Sequence, residues 1–239
     1  MVQKMIKAAA LAGLVLTAAS AAFASPVSYT EVGDAGDLVS GTVQSVTGAA
    51  GSSVTSINGS LTSSAGIFDG DAFKIYISAP STFSASTVGF TPGANNFDSE
   101  LFLFNLDGTG IAMNDDDATS GGSQSAITAG NALTAGLSAG YYYLLITGNG
   151  MDPSNGSGLI FPSWTDGSDP TGIYGPNSHA PITGFGGASN EGGAYSIALT
   201  GVSIAASAAT IPEPGTLFLG LTAGLMLLAA VRRRQSDAQ

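Results

Sequence analysis

The feature that most constrains this fold is a series of short segments in which apolar and polar residues alternate with a period of two. In residues 72–78, Phe73, Ile75 and Ile77 share one face of an extended chain, as in a half-buried strand. Alternating or continuous apolar runs predict six strands, at residues 72–78, 82–88, 100–106, 111–113, 140–147 and 194–202. Turn residues separate them, and none shows a convincing amphipathic helical period. The region is therefore predicted to be an all-β, antiparallel sandwich.

Two further segments are less regular. In residues 25–66 the apolar residues are too irregularly spaced for a helix, which predicts one or two edge strands. Residues 148–193 are dense in Gly, Pro, Asn, Asp and Ser and predict a long loop or insertion. Such a loop is either functional or a flexible decoration. Within the sandwich, we expect Phe73, Leu103 and Leu144 to be buried on three strands.

The charge distribution excludes some partners. The chain has 17 acidic residues against six Lys and Arg, for a net charge of −11. Fifteen of the acids lie from Glu31 to Glu191, where Lys74 is the single basic residue, so this region carries about −14. Such a body repels nucleic-acid phosphates and anionic lipid, whereas cations and neutral sugars remain open as ligands. The absence of cysteine excludes disulfides and thiolate metal sites.

The first 24 residues have the three parts of a secretory signal peptide. Lys4 and Lys7 provide a positive start, and residues 8–22 are almost entirely apolar or small. Ala22 and Ala24 form an A-x-A site for cleavage. The alternative is an uncleaved anchor helix. Either way, the chain is predicted to be exported.

The C-terminal end combines three features. An uncharged run at residues 216–231 follows a Pro-Glu-Pro segment and precedes three arginines, the six flanking residues being Pro212, Glu213, Pro214, Arg232, Arg233 and Arg234. Sixteen helical residues span about 24 Å, somewhat less than a hydrocarbon core of about 30 Å. Flanking residues and local thinning cover that deficit, and the arginines favour a cytoplasmic end. The run is therefore predicted to be a transmembrane helix.

This arrangement over residues 211–234 resembles the PEP-CTERM sorting signal of Gram-negative bacteria. The resemblance implies processing by an exosortase, a membrane transpeptidase-like enzyme that removes the tail. It also implies a link with exopolysaccharide or biofilm matrix. The protein is then expected to be membrane-anchored before processing and afterwards at the cell surface or extracellular. A plain C-terminal membrane anchor is the alternative.

The order of motifs in the body resembles the bacterial pre-peptidase C-terminal domain, more closely its PEP-CTERM-associated subfamily. The resemblance covers roughly residues 68–162, through four motifs at residues 70–73, 97–104, 114–116 and 140–144. It implies a small jelly-roll-like β-sandwich. The whole chain then divides into a signal peptide (1–24), N-terminal strands (25–66), the sandwich (67–204) and a sorting tail (205–239).

Catalytic constellations are not evident in the sequence. His179 is the only histidine and lies in a segment rich in Pro and Gly, where a solvated loop residue is expected. No Gly-x-Ser-x-Gly nucleophile elbow and no pair of histidines for zinc is present. Two carboxylates at glycosidase spacing remain an alternative that no pattern favours. We therefore expect a protein that is not an enzyme.

One cluster has ligand chemistry. Asn114, Asp115, Asp116 and Asp117 place four oxygen-bearing side chains in one turn, and Asp98 is expected to approach from a neighbouring strand end. Hard oxygen ligands suit Ca²⁺, although the spacing is not that of an EF-hand. The alternative is an acidic turn in water. A calcium site of modest affinity at these five residues and a solvated acidic turn therefore both remain open.

Aromatic residues in or beside the long loop suggest a second role. Phe161, Trp164 and Tyr174 are candidates for a sugar-binding platform or, alternatively, for packing the loop onto the sandwich. The sequence favours a non-catalytic surface or extracellular-matrix protein with a structural or adhesive sandwich. A carbohydrate-binding module for exopolysaccharide is the alternative.

Overall fold

The computed structural model describes residues 24–39, 42–62, 69–89, 97–118, 122–163 and 171–206. This part of the chain is all-β, as predicted, with one 3-10 turn at Pro80–Thr82. No helix able to cross a membrane occurs in these ranges. Residues 1–23, which carry nearly all of the predicted signal peptide, and the predicted membrane helix 216–231 lie outside the described residues. The strands are β1 Val27–Thr30, β2 Gln44–Ser45, β3 Val54–Leu61, β4 Gly70–Ile77, β5 Ser84–Ser86, β6 Ser99–Phe104, β7 Gly110–Asn114, β8 Ala126–Ile127, β9 Gly140–Gly148, β10 Asp152–Asn155, β11 Gly158–Leu159, β12 Gly184–Gly186, β13 Gly193–Thr200 and β14 Val202–Ser203.

Two sheets contain most of these strands. One has five strands in the order β1-β3-β13-β5-β8, and the other has the order β14-β4-β9-β6-β7 with β2 also paired to β4. All pairings are antiparallel except β1 with β3 and β2 with β4, which are parallel. The expectation of strictly antiparallel sheets is therefore wrong at these two pairs. The chain alternates between the sheets from β1 to β4, and such crossovers are what parallel neighbours require.

The main core lies between these two sheets. Phe73 on β4 pairs in register with Leu144 on β9, which pairs in turn with Leu103 on β6. All three side chains are fully buried, as predicted, and share one cluster with Ile57 and Ile197 from the opposing sheet. Burying each such side chain contributes roughly 1.5–3 kcal/mol. The two sheets are therefore joined by a continuous apolar layer.

A third layer covers the outer face of the six-stranded sheet. The segment predicted as a long loop contains a three-stranded sheet in the order β11-β10-β12. The Phe161 ring lies 5.5 Å from Phe102 and 5.6 Å from Phe104, between ring centroids. Ile160 and Ile182 join the same outer cluster. The described part of the segment thus packs firmly against β6 and its neighbours.

The N-terminal strands belong to the same core as the rest. β3 lies inside the five-stranded sheet, between β1 and β13, and not at an edge as expected. In the pairing of β1 with β3, Val27 lies opposite Val54, and the next residue, Ser28, lies opposite Ser56. Thr55 is therefore an extra residue in a β-bulge. The bulge lets side chains at uneven spacing face one core.

The two ends of the sandwich meet at one short segment. The amide of Val27 donates to the carbonyl of Ser53, and the amide of Ile204 donates to the carbonyl of Ser52, both at 2.8 Å. Gly51 in turn donates its amide hydrogen to the Ile204 carbonyl at 2.9 Å. The chain therefore enters and leaves the sandwich at the same place.

Candidate functional site

The acidic turn lies at one end of the β6–β7 pair. These strands are antiparallel, with Leu101 opposite Asn114, so the start of β6 and the end of β7 are neighbours. Asp98 immediately precedes β6, and Asp115 immediately follows β7. Acids far apart in the chain thereby reach the same corner of the sheet. Asp98 therefore lies close to the acidic turn.

Three carboxylates converge at this corner. One oxygen each of Asp98, Asp115 and Asp116 lies within 4.8 Å of the other two. Asp115 is 6% exposed, and the other two are partly buried. The Asn149 side chain donates to Oδ2 of Asp98 at 2.9 Å, and the Asn149 amide donates to the Asp98 carbonyl at 2.9 Å. The start of β6 is thus held to the chain after β9.

The other two predicted ligands have different positions. Asn114 is buried, and its amide group donates to the carbonyls of Asp116 at 2.9 Å and Gly172 at 2.8 Å. Its Oδ1 accepts from the amide of Ala126. Asn114 therefore shapes the turn and ties it to β8 and the long segment. Asp117 lies outside the group of three convergent carboxylates.

A cavity adjoins the convergent acids beneath the third layer. Its volume is about 340 Å³, and its wall includes Glu100, Asp115 and Asp152. Glu100 is 3% exposed, and the Thr147 hydroxyl donates to its Oε2 at 3.1 Å. Burial, and then the charges of Asp152 and Asp115, raise the pKa of Glu100 well above its usual range. Burial also raises the pKa of Asp152, opposed by a hydrogen bond from Ser163.

The described part of the chain contains a single lysine and no arginine. Lys74 is the only such residue from position 8 to position 231. It lies on β4, which β9 and β6 separate from β7 in the sheet. Its Nζ is 4.8 Å from the ring centroid of Tyr141. Five carboxylates therefore share one corner of the protein, and Lys74, the one basic side chain of the described residues, lies elsewhere. Such an arrangement favours cations.

A second group of acids was not predicted. One oxygen each of Glu31, Asp34 and Asp71 lies within 4.8 Å of the other two. Asp71 is 1% exposed, and the Tyr195 hydroxyl donates to its Oδ2 at 2.6 Å. Its Oδ1 is buried with no hydrogen-bond donor among the described residues. These three oxygens could also hold a cation.

The protonation of Asp71 reflects its surroundings. Burial raises the pKa of Asp71 to about 8, against the opposing hydrogen bond from Tyr195. The negative charge of Glu31 raises it further. Glu31 itself accepts from the amides of Ala35 at 2.8 Å and Ser60 at 2.9 Å. The second acid group is thus anchored to three separate segments of the chain.

Glu100, Asp71 and Asp152 were not predicted as site residues, and the sequence offers a different amount of information for each. Glu100 is an acid at the start of a run predicted to be a central strand, and a charge in a buried strand is itself a sign of a special environment. Asp71 follows Gly70 and directly precedes the predicted strand at residues 72–78. Asp152 offered no signal, because it lies in the segment predicted as a loop. Its position depends on the third layer alone.

The aromatic residues of the long segment mostly face the protein. Phe161 is buried in the outer cluster, and Tyr174 is partly buried against it. Met113 and Tyr174 also exchange two backbone hydrogen bonds of 2.9 Å. Phe161 and Tyr174 therefore pack the segment onto the sandwich and do not form an open platform for a sugar. Trp164 lies outside the described residues.

The predicted processing residues also lie mostly beyond the described ranges. These are Ala22 of the cleavage site and the six sorting residues Pro212, Glu213, Pro214, Arg232, Arg233 and Arg234. Ala24, the last residue before predicted cleavage, is at the start of the described chain and lies just before β1. Comparisons with protein-family models, with curated proteins and with solved structures find no match.

Proposed function

We propose that this chain is a non-catalytic, exported protein of the cell surface or extracellular matrix, stabilised by calcium at Asp98, Asp115 and Asp116. The observation that carries the calcium proposal is the convergence of three carboxylate oxygens within 4.8 Å of one another. The sandwich, which we infer to be jelly-roll-like, then has a structural or adhesive role. The single histidine, His179, is exposed, which accords with the absence of a catalytic role.

Calcium fits this corner better than smaller ions do. It takes 6–8 oxygen ligands at 2.3–2.6 Å in flexible geometry, whereas Mg²⁺ needs a tight octahedron and loses water reluctantly. Three carboxylates supply part of such a shell, and the adjoining cavity of about 340 Å³ has room for water to complete it. Bound calcium also reduces the repulsion among these neighbouring carboxylates. An ion held in this way links native stability to calcium concentration.

Thermal unfolding of the full-length chain tests the calcium site. The melting temperature should be higher in millimolar Ca²⁺ than in chelator, and Mg²⁺ should help less. At a hundredfold excess over Kd, the linkage is about 2.7 kcal/mol. The double substitution Asp115→Asn and Asp116→Asn should abolish the calcium increment. Asp107→Asn, a fully exposed acid in the β6–β7 turn, is the matched control and should retain it.

Two results would contradict the calcium site. One is an equal response of the wild type to Ca²⁺, Mg²⁺ and NaCl of matched ionic strength, which a solvated acidic turn would give. The other is a full calcium increment in the double variant, which would place the ion elsewhere. The second acid group around Asp71 is the first alternative in that case.

Export and sorting are supported by the two ends of the sequence. The signal-like segment 1–24 and the three-part tail at 211–234 together favour passage through the inner membrane and a transient membrane anchor. An exosortase is the proposed processing partner, and exopolysaccharide is the proposed matrix partner. Nucleic acid is disfavoured by the charge of about −14 on the body.

A carbohydrate-binding role is the second candidate function. The inward packing of Phe161 and Tyr174 argues against an aromatic platform on the long segment. A different surface, built around Tyr141, favours glycan binding.

A further inference from the structure

One groove on the outer face of the six-stranded sheet differs in charge from the rest of the protein. It has a volume of about 250 Å³, and its lining includes Ser45, Thr47, Lys74, Tyr76, Tyr141 and Ser203. None of its lining residues is acidic, although the chain has 17 acids against six basic residues. The groove instead contains the single lysine of the body. Its charge is therefore opposite to that of the surrounding protein.

Three side chains define the floor of this groove. Tyr76 on β4 pairs in register with Tyr141 on β9, and their ring centroids are 5.1 Å apart at an angle of 68°. Lys74, two residues before Tyr76 and on the same face of β4, holds its Nζ 4.8 Å from the Tyr141 centroid. Tyr141 remains 45% exposed. The ammonium group of Lys74 thus lies over the Tyr141 ring, and Tyr141 still offers exposed surface next to that charge.

This combination matches one class of ligand. The apolar face of a pyranose ring can stack on the exposed Tyr141 ring, and a carboxylate on the same sugar can accept hydrogen bonds from Lys74. The hydroxyls of Ser45, Thr47 and Ser203 provide further hydrogen bonds along the wall. A neutral sugar would make no use of the lysine charge, and an aliphatic anion would make no use of the aromatic ring.

We propose that the groove binds a uronic-acid unit of an acidic polysaccharide. Its size suits about one sugar ring, with the polymer continuing into solvent. No acidic residue lines the groove, and charge beyond about 8 Å is largely screened at physiological ionic strength. The inference rests on the proposed export for access to such polymers, but binding itself requires neither sorting nor calcium.

The test uses the full-length chain and a trimer of galacturonic acid, with binding measured by calorimetry in chelator. Chelator prevents calcium from bridging the carboxylates of ligand and protein. The methyl-esterified trimer, which keeps the rings and removes the charge, is the matched ligand. The acid trimer should bind saturably and at least about tenfold more tightly than the ester, the range of one charge-assisted hydrogen bond. Its affinity should fall as NaCl is raised.

Variants locate the site. Lys74→Gln and Tyr141→Ala should each lower the affinity by about tenfold or more. Leu106→Ala is the control, because Leu106 is 46% exposed, close to the 45% of Tyr141, but lies in the β6–β7 turn outside the groove. Melting curves of each variant in chelator check its folding. The wild-type comparison of acid with ester stands even where a variant fails to fold.

Several results would overturn the proposal. These are the absence of saturable binding, equal affinity for acid and ester, and full affinity in Lys74→Gln. Binding that appears only after calcium is added would assign the ligand to the carboxylate corner instead. The calcium-dependent melting of the wild type is measured separately, so failure here leaves the calcium site standing, and failure there leaves the groove standing.

Discussion

Replacing Asp71 with asparagine should change how stability depends on pH. The Asp71 carboxyl is 1% exposed and accepts a hydrogen bond from Tyr195, and burial raises its pKa to about 8 from an ordinary value of 3.8. Between these two pH values the folded protein retains a proton that the unfolded chain releases. Unfolding is therefore favoured as pH rises, so this stability is fully present below about pH 3.8 and is lost as pH approaches 8.

The size of the effect follows from proton linkage. One proton held only by the folded state changes the free energy of unfolding by about 1.4 kcal/mol per pH unit. From pH 5 to pH 7 the wild type should lose about 2–3 kcal/mol through Asp71. Domains of this kind have only about 5–15 kcal/mol of stability in total, so the change is readily measured. The asparagine side chain does not titrate and can still accept from Tyr195, so Asp71→Asn should lack this loss.

Urea denaturation in chelator at pH 5, 6 and 7 provides the measurement. Glu31, Glu100 and Asp152 also have a raised pKa and contribute slopes of the same sign, so the quantity of interest is the difference between wild type and variant. That difference should grow by about 2–3 kcal/mol from pH 5 to pH 7 in favour of Asp71→Asn. The exposed control Asp107→Asn should follow the wild type. Parallel pH profiles for wild type and Asp71→Asn would show that Asp71 ionises normally in the fold and would refute the reasoning.

Two other predictions concern the tail and the core. Changing Pro212, Glu213 and Pro214 to alanine should block tail removal and spare export, as measured by intact mass of both forms in the native host; a wild type that keeps its C-terminal arginines when mature would exclude sorting. Leu103→Ala should lower the free energy of unfolding by about 2–5 kcal/mol, because Leu103 is fully buried between β9 and the opposing sheet. Leu106→Ala, exposed three residues later in the chain, should change it by less than about 1 kcal/mol, and an equal effect of both would mean that β6 is misplaced.

The strands that the sequence predicted best are those whose side chains alternate locally. Phe73 and its neighbours on β4 needed no information from distant residues, and the burial of Leu103 and Leu144 followed from similar runs. The alternating pattern of β3 is interrupted at two positions, which hid this strand in the sequence. A bulge at Thr55 shifts the alternation. Position 59 is a glycine because an added Cβ there would collide with the side-chain oxygens of Tyr195 and Glu31.

Other features depend on contacts that no local pattern records. The parallel pairs β1–β3 and β2–β4 require the chain to alternate between sheets. β10 has Pro153 at its centre, which ordinarily argues against a strand, yet the carbonyl of Pro153 accepts from the amide of Ile160 at 2.8 Å. The third layer was therefore predicted as loop.

The acids in and around the candidate calcium site also differ in how far the sequence could predict their positions. Asp115 and Asp116 are neighbours in sequence, and Asp98 reaches them through one hairpin, so their convergence could be predicted from strand pairing. Asp152 arrives only with the third layer, which the sequence did not predict. The acid group around Asp71 joins the ends of distant strands and could not be predicted from spacing.

The meeting of Val27 and Ile204 at one short segment has a mechanical consequence. A pull applied to the chain after Ile204 and resisted before Val27 would be carried by the backbone hydrogen bonds of these residues to Ser52 and Ser53. That load path is short and joins the two sheets at the margin of the sandwich, because β1 and β14 belong to opposite sheets. Tension on a tether at either end would therefore fall first on these few hydrogen bonds.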